Sequence, residues 1–178
     1  MSGGRPAPGP LDQGDALLAI YDRALDEVYG YLLARCGGSR QLAEDLCSET
    51  FVAAADAAAR GAIPDVSVRW LVGVARHKLA DHWRRTAREE RRLRLVAGGG
   101  DDADDPWDEQ LDAARAHAVL AQLGPHHRAA LTFRYLDDLP VPAVAEVLGR
   151  TLHATEALLV RARAAFRRAY LDTEEVSG

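Results

Sequence analysis

Ten residues near the middle of the chain, Ala-Gly-Gly-Gly-Asp-Asp-Ala-Asp-Asp-Pro at 97–106, constrain the fold more than any other feature. They carry no large apolar side chain, so neither a helix nor a strand built from them has a face to bury. Flexible glycines followed by mutually repelling carboxylates make a tether. The 178 residues are thereby cut into two lengths, each short enough for one small core. Both lengths are rich in Ala, Leu, Arg and Glu with few β-branched runs, which favours helix over sheet. The expected class is all-α, with two small helical domains joined by a flexible acidic linker. The expected boundaries are a disordered Gly- and Pro-rich tail at 1–14, a first domain at 15–96, the linker at 97–108, a second domain at 109–172 and a tail at 173–178.

In the first domain Leu17, Tyr21, Leu25, Val28 and Leu32 recur at helical spacing and predict a helix over 16–35. Gly37-Gly38 ends it and Ser39 can cap a second helix over 40–59. At 100° per residue that helix places Ala43, Cys47, Phe51, Ala54 and Ala58 on one side, and Asp45, Glu49, Val52 and Asp56 on the other. Gly61 and Pro64 mark a loop, and a third helix runs from Val68 to about Leu95. Beyond the linker, helices are expected near 107–122, 126–136, 142–148 and 152–170, separated by Gly124-Pro125, Asp137-Asp138 and Gly149.

A net charge of −5 argues against a nucleic-acid partner, but its distribution reverses the argument. From Arg69 to Arg94 nine Lys or Arg face three acids, and from Asp101 to Asp112 seven acids stand with no base. A local basic footprint is what meets phosphate. On the third helix Leu71, Val72, Ala75, Leu79 and Trp83 form the apolar side. His77, Asp81, Arg84 and Arg88 form a polar line flanked by Arg76, Lys78 and Arg85. Such a face suits DNA, and equally an ordinary solvated surface.

The second constellation is more specific. A short helix starts at Pro142, where proline at the first turn costs nothing, and Val144, Ala145 and Leu148 are its apolar positions. Gly149 permits a left-handed turn and Thr151 can cap a longer helix, which together describe a helix-turn-helix. On the longer helix Thr155, Leu158, Leu159, Ala162 and Phe166 point inward, while Arg161, Arg167 and Arg168 are placed for phosphates.

No catalytic motif emerges. The histidines at 77, 82, 117, 126, 127 and 153 match no metal-ligand spacing, and His126-His127 reads as polar surface. Cys36 and Cys47 match no metal or redox spacing and read as small hydrophobes. No metal, cofactor or enzymatic activity is expected. The N-terminus lacks an apolar signal segment and no run is long enough to span a membrane, so a cytoplasmic protein without membrane insertion is expected.

Taken in order, the segments resemble the extracytoplasmic-function sigma factors of bacterial RNA polymerase. Ala43 to Phe51 (AEDLCSETF) is similar to the family's clamp-docking helix, and Val68 to Arg85 (VRWLVGVARHKLADHWRR) to the segment that opens and reads the −10 element. GPHHRAAL and the helix-turn-helix resemble the −35-reading domain. The resemblance implies polymerase contacts at Asp45, Ser48, Glu49 and Val52. It implies −10 contacts at Arg76, His77, Lys78, Asp81, Arg84, Arg85 and Arg88, with the loop from Gly61 to Ser67 helping to form a pocket for a flipped base. It implies −35 contacts at Thr151, His153, Glu156, Ala157, Val160, Arg161, Arg167 and Arg168. Core RNA polymerase, promoter DNA and an anti-sigma factor are the implied partners. The chain departs from the family's pattern at Cys47-Ser48, at His77 where Asn is usual, and at Glu156-Ala157-Leu158 where Lys, Ser and Arg are common. Upstream recognition is therefore expected to lean on DNA shape and backbone contacts. The competing class is a helix-turn-helix regulator acting without polymerase docking, which leaves the acidic face of 43–56 and the tether unexplained.

Overall fold

Residues 10–93 and 112–176 are described by the structure, a computed structural model, and every regular element among them is helical. The helices are α1 Pro10–Arg35, α2 Arg40–Ala59, α3 Val68–Leu93, α4 Ala113–Gln122, α5 Pro125–Leu131, α6 Val141–Leu148 and α7 Leu152–Val176. A π-helical turn, Thr132–Leu136, continues α5. The tether expected at 97–108 lies outside the described residues. By its contacts the chain divides into two units, residues 1–79 and 80–178, and the division falls within α3.

In the first unit α1 packs along α2. Gly37 and Gly38 take φ of 65° and 80°, a region costly for a side chain with a Cβ, and turn the chain between the two helices. Ser39 then caps α2, its Oγ accepting from the Leu42 N–H at 3.3 Å. Ala24, Ala43, Ala54 and Ala75 are each 0% exposed. Small side chains at those positions bring backbones close, and Val28, Leu32, Leu46, Leu71 and Leu79 fill the space between.

Two expectations about the ends need correction. Residues 10–14 are helical rather than part of a tail, because Pro10 suits a first turn and Gln13 is anchored in the unit's interior by Ile63. Residues 173–176 likewise extend α7, since no glycine or proline interrupts the sequence there and the Thr173 hydroxyl donates back to the Ala169 carbonyl at 2.6 Å. Residues 1–9 lie outside the described residues.

In the second unit α7 packs against α4, α5 and α6. Its centre is Phe133, fully buried and edge-on to Trp83 at 5.5 Å between ring centroids. Losing such a ring typically costs about 3–5 kcal/mol. The start of α4 is tied to α7, with the Tyr170 hydroxyl accepting from the Asp112 N–H at 3.0 Å and the Arg115 guanidinium lying 3.9 Å over the Tyr170 ring.

Candidate functional site

The acidic face of α2 is built as the helical geometry requires. Ala43, Cys47, Ala54 and Ala58 are buried, Phe51 is half-buried, and Asp45, Ser48, Val52 and Asp56 are exposed on the other side. Burial pushes the Cys47 thiol up from its ordinary value, so it stays protonated and inert. Glu49 is half-buried because it reaches α3, where Lys78 Nζ lies 3.8 Å from Glu49 Oε2. Beside this face Tyr21, Leu25 and Tyr29 of α1 and Cys47, Ser48 and Phe51 of α2 line an open groove of about 210 Å³. Val52, 64% exposed, stands next to it in sequence as an apolar side chain facing water.

Along α3 the apolar line Val68, Leu71, Ala75, Leu79, Trp83 and Ala87 is buried, while Val72 is only half-buried. His77, Arg85 and Arg88 are exposed, and Arg76, Lys78, Asp81 and Arg84 are half-buried. Asp81 and Arg84, one turn apart, form an ion pair with each other.

The helix-turn-helix closes through its turn. Gly149 takes a left-handed φ of 61°, with its N–H donating to Glu146 at 3.0 Å and the Arg150 N–H donating to Ala145 at 2.9 Å. A Cβ at Gly149 would stand 2.7 Å from Arg84 Nη1, so the guanidinium rests on the glycine. Thr151 caps α7, accepting from the Ala154 N–H at 3.2 Å. Thr155, Leu158, Leu159 and Ala162 are buried as expected, and Phe166 is half-buried. Thr151, His153, Glu156, Ala157, Arg161 and Arg168 are exposed, with Val160 and Arg167 half-buried. Leu158 therefore belongs to the core and offers no group to DNA.

These parts match known proteins in the same order. Sigma-70 region 2 matches residues 20–89, and Sigma-70, region 4 matches residues 113–166. The chain belongs to the sigma-70 family. Its extracytoplasmic-function branch is indicated by the ECF RNA polymerase sigma factor BldN of Streptomyces coelicolor, 33% identical over 158 residues. That match covers 84% of this chain and 58% of the relative, so the chain spans under two thirds of that protein's length. The crystal structure of the sigma factor RpoE with the anti-sigma factor NepR from Bartonella quintana shares the fold, with a TM-score of 0.52 at 17% identity, covering 87% of this chain and 96% of that one.

Within this sigma-70 frame, the α2 face and most of α3 lie in region 2, and the helix-turn-helix lies in region 4. One feature of the second unit escapes sequence reasoning. His126, expected as polar surface, is half-buried with Arg91 Nη2 at 3.0 Å from its Nε2 and Arg150 Nη2 at 3.3 Å from its Nδ1. Burial, then Arg150, Arg91 and His127, push its pKa down to about 4. Burial, with Arg161 and Arg168, lowers His127 as well. Arg150, itself lowered by burial and by neighbouring Arg91 and Arg161, completes a cationic cluster at the turn. A neutral imidazole has one acceptor nitrogen, so it cannot satisfy both guanidinium groups. The sequence signal for this cluster was only the basic run ending α3 and the His-His pair.

Proposed function

We propose that this chain directs core RNA polymerase to promoters as an extracytoplasmic-function sigma factor, without catalytic residues of its own. The observation that carries the reading is the occurrence of regions 2 and 4 in order on one chain. Asp45, Ser48 and Val52, exposed on α2, and the half-buried Glu49 beside them would meet the polymerase. Arg76, Lys78, Arg84, Arg85 and Arg88 would bind phosphates around the −10 element, and His77 and Asp81 would read its bases, with the 61–67 loop receiving one unstacked base. Thr151, His153, Glu156, Ala157, Val160, Arg161, Arg167 and Arg168 would line the −35 contact. The domain boundaries proposed are those of the sequence reading, adjusted to the longer α1 and α7. The solved relative carries an anti-sigma factor, and a partner of that kind is proposed here. Among the described residues no helix is long and apolar enough to cross a membrane. The site of action proposed is the cytoplasm, where promoter DNA and polymerase meet.

Run-off transcription with purified core polymerase on genomic templates tests the proposal. Selective start sites that core alone does not use are the expected result. Selective duplex binding without polymerase recruitment would instead identify a helix-turn-helix regulator.

A further inference from the structure

The connection between α2 and α3 is fixed at three points. Its entry is a closed left-handed turn: Gly61 has φ of 64°, and the Gly61 and Ala62 N–H groups donate to Ala58 and Ala57, each at 2.9 Å. Its exit is the cap of α3, where Ser67 Oγ accepts from the Trp70 N–H at 3.3 Å. The third point comes from another helix. Gln13 Nε2 donates to the Ile63 carbonyl at 2.9 Å, and Gln13 Oε1 accepts from the Ile63 N–H at 3.0 Å, across 50 residues of sequence.

Gln13 thus gives Ile63 both hydrogen bonds that a neighbouring strand would give. Gln13 is 1% exposed and Ile63 3%, so water does not compete for either bond. A leucine would fill the same volume but leave the buried Ile63 N–H and carbonyl unpaired; the glutamine satisfies both and so fixes that backbone position. Pro64 and Asp65, just beyond the anchor, remain exposed. The loop is therefore held from below and presented above.

We propose that Gln13 is a positioning residue for promoter recognition: it holds the 61–67 loop in the shape that receives a −10 base, and sharpens base discrimination without touching DNA. The inference rests on the reading of region 2 as the −10-binding part. Sites displaced by as little as 1 Å lose much of their selectivity, and an anchor bonded at both backbone groups limits that displacement.

The test uses the full chain with core polymerase and measures open-complex formation across a randomised −10 library for the wild type, Gln13→Leu and Gln13→Glu. Hydrogen exchange at the Ile63 amide reports the anchor itself. One misread base pair is worth about 5- to 150-fold, and Gln13→Leu is expected to remove about tenfold of that preference while core binding is retained. Gln13→Glu keeps an acceptor for the Ile63 N–H, but its carboxylate is repelled by the Ile63 carbonyl and is buried without a counter-charge, so it should lose at least as much preference as Gln13→Leu. A purely structural role would lower opening on every sequence alike and leave relative preferences intact. That outcome overturns the inference, as does an unchanged preference despite faster Ile63 exchange. If Gln13→Leu does not fold, Gln13→Glu and Pro64→Gly, which loosens the loop above an intact anchor, carry the decision, and unaltered preferences in both overturn it. A wild type with no −10 preference would sink the functional reading instead, whereas a preference shared equally by wild type and variants sinks only the role of Gln13.

Discussion

Reversing the charge of Asp45 and Glu49 (both to Lys) separates a binding face from a structural one. Asp45 is exposed, and Glu49 is paired with Lys78 at 3.8 Å, with side-chain exposures of 43% for Glu49 and 30% for Lys78. A pair that open contributes about 0.2–1 kcal/mol, and the Lys–Lys repulsion replacing it is of similar size. The fold should therefore lose at most about 2 kcal/mol, a fall in melting temperature of several degrees for a chain of this length. At a desolvated interface the arithmetic differs, because an orphaned charge costs about 2–5 kcal/mol, which is roughly 30- to 4,000-fold in affinity. Fluorescence anisotropy of labelled protein titrated with core polymerase measures the second quantity, and circular dichroism melts measure the first. Asp45→Lys alone should show most of the affinity loss with almost none of the melting shift, since Asp45 makes no ion pair among the described residues. Asp22→Lys, on an exposed position of α1, is the control for net charge. If Asp22→Lys weakens polymerase binding as much as Asp45→Lys, or if the double variant binds normally, the α2 face is not the docking surface.

Two alanine substitutions of glycine should differ in sign. Gly149→Ala forces a side chain into a left-handed turn against Arg84 and should destabilise by about 1–2 kcal/mol, whereas Gly30→Ala, open and mid-helix, should stabilise by about 0.5–1 kcal/mol in urea titrations. On the DNA side, Arg88→Ala should weaken all promoters alike and reduce the salt slope by about one unit, and His77→Ala should change which −10 bases are tolerated, at about 1–3 kcal/mol per position. Identical base preferences for His77→Ala and wild type across a promoter library would contradict that division of roles. His126 has its pKa lowered from 6.5 to about 4, so the unfolded chain binds a proton that the native state refuses. The stability tied to the neutral ring is complete above pH 6.5 and is lost as pH falls toward 4, and His126→Gln should flatten the urea-midpoint profile over that window. Parallel profiles for the two proteins would show that the ring does not carry the effect.

What could be read from the sequence has a local cause. An apolar stripe of period 3.6 declares its own buried face, so Val28 and Leu32, Ala43 and Cys47, and Leu71 through Trp83 fall inside as expected. Caps and turns are equally local: Ser39, Gly149 and Thr151 each act on backbone groups within a few residues. Exposure of Asp45, His77, Arg88 and Arg161 follows from the same helical wheels, which is why most of the candidate faces were legible. The features that escaped depend on a partner far away in the chain. The π turn at Thr132–Leu136 accompanies five consecutive buried residues, Ala129 to Phe133, a width that an α-helical pattern does not predict. His126 is distinctive only because Arg91 and Arg150 are brought to its two nitrogens, and Glu49 only because Lys78, 29 positions on and in α3, comes within 3.8 Å of it. Gln13 is the extreme case. Its own surroundings, Leu-Asp-Gln-Gly-Asp, carry no helical stripe, and composition assigns them to a tail. Its bond to Ile63 joins two positions 50 residues apart, and no window of sequence contains both. A stripe is defined by its repetition and an anchor by what it holds, so the residue that fixes the α2–α3 connection sits where pattern reasoning sees nothing to fix.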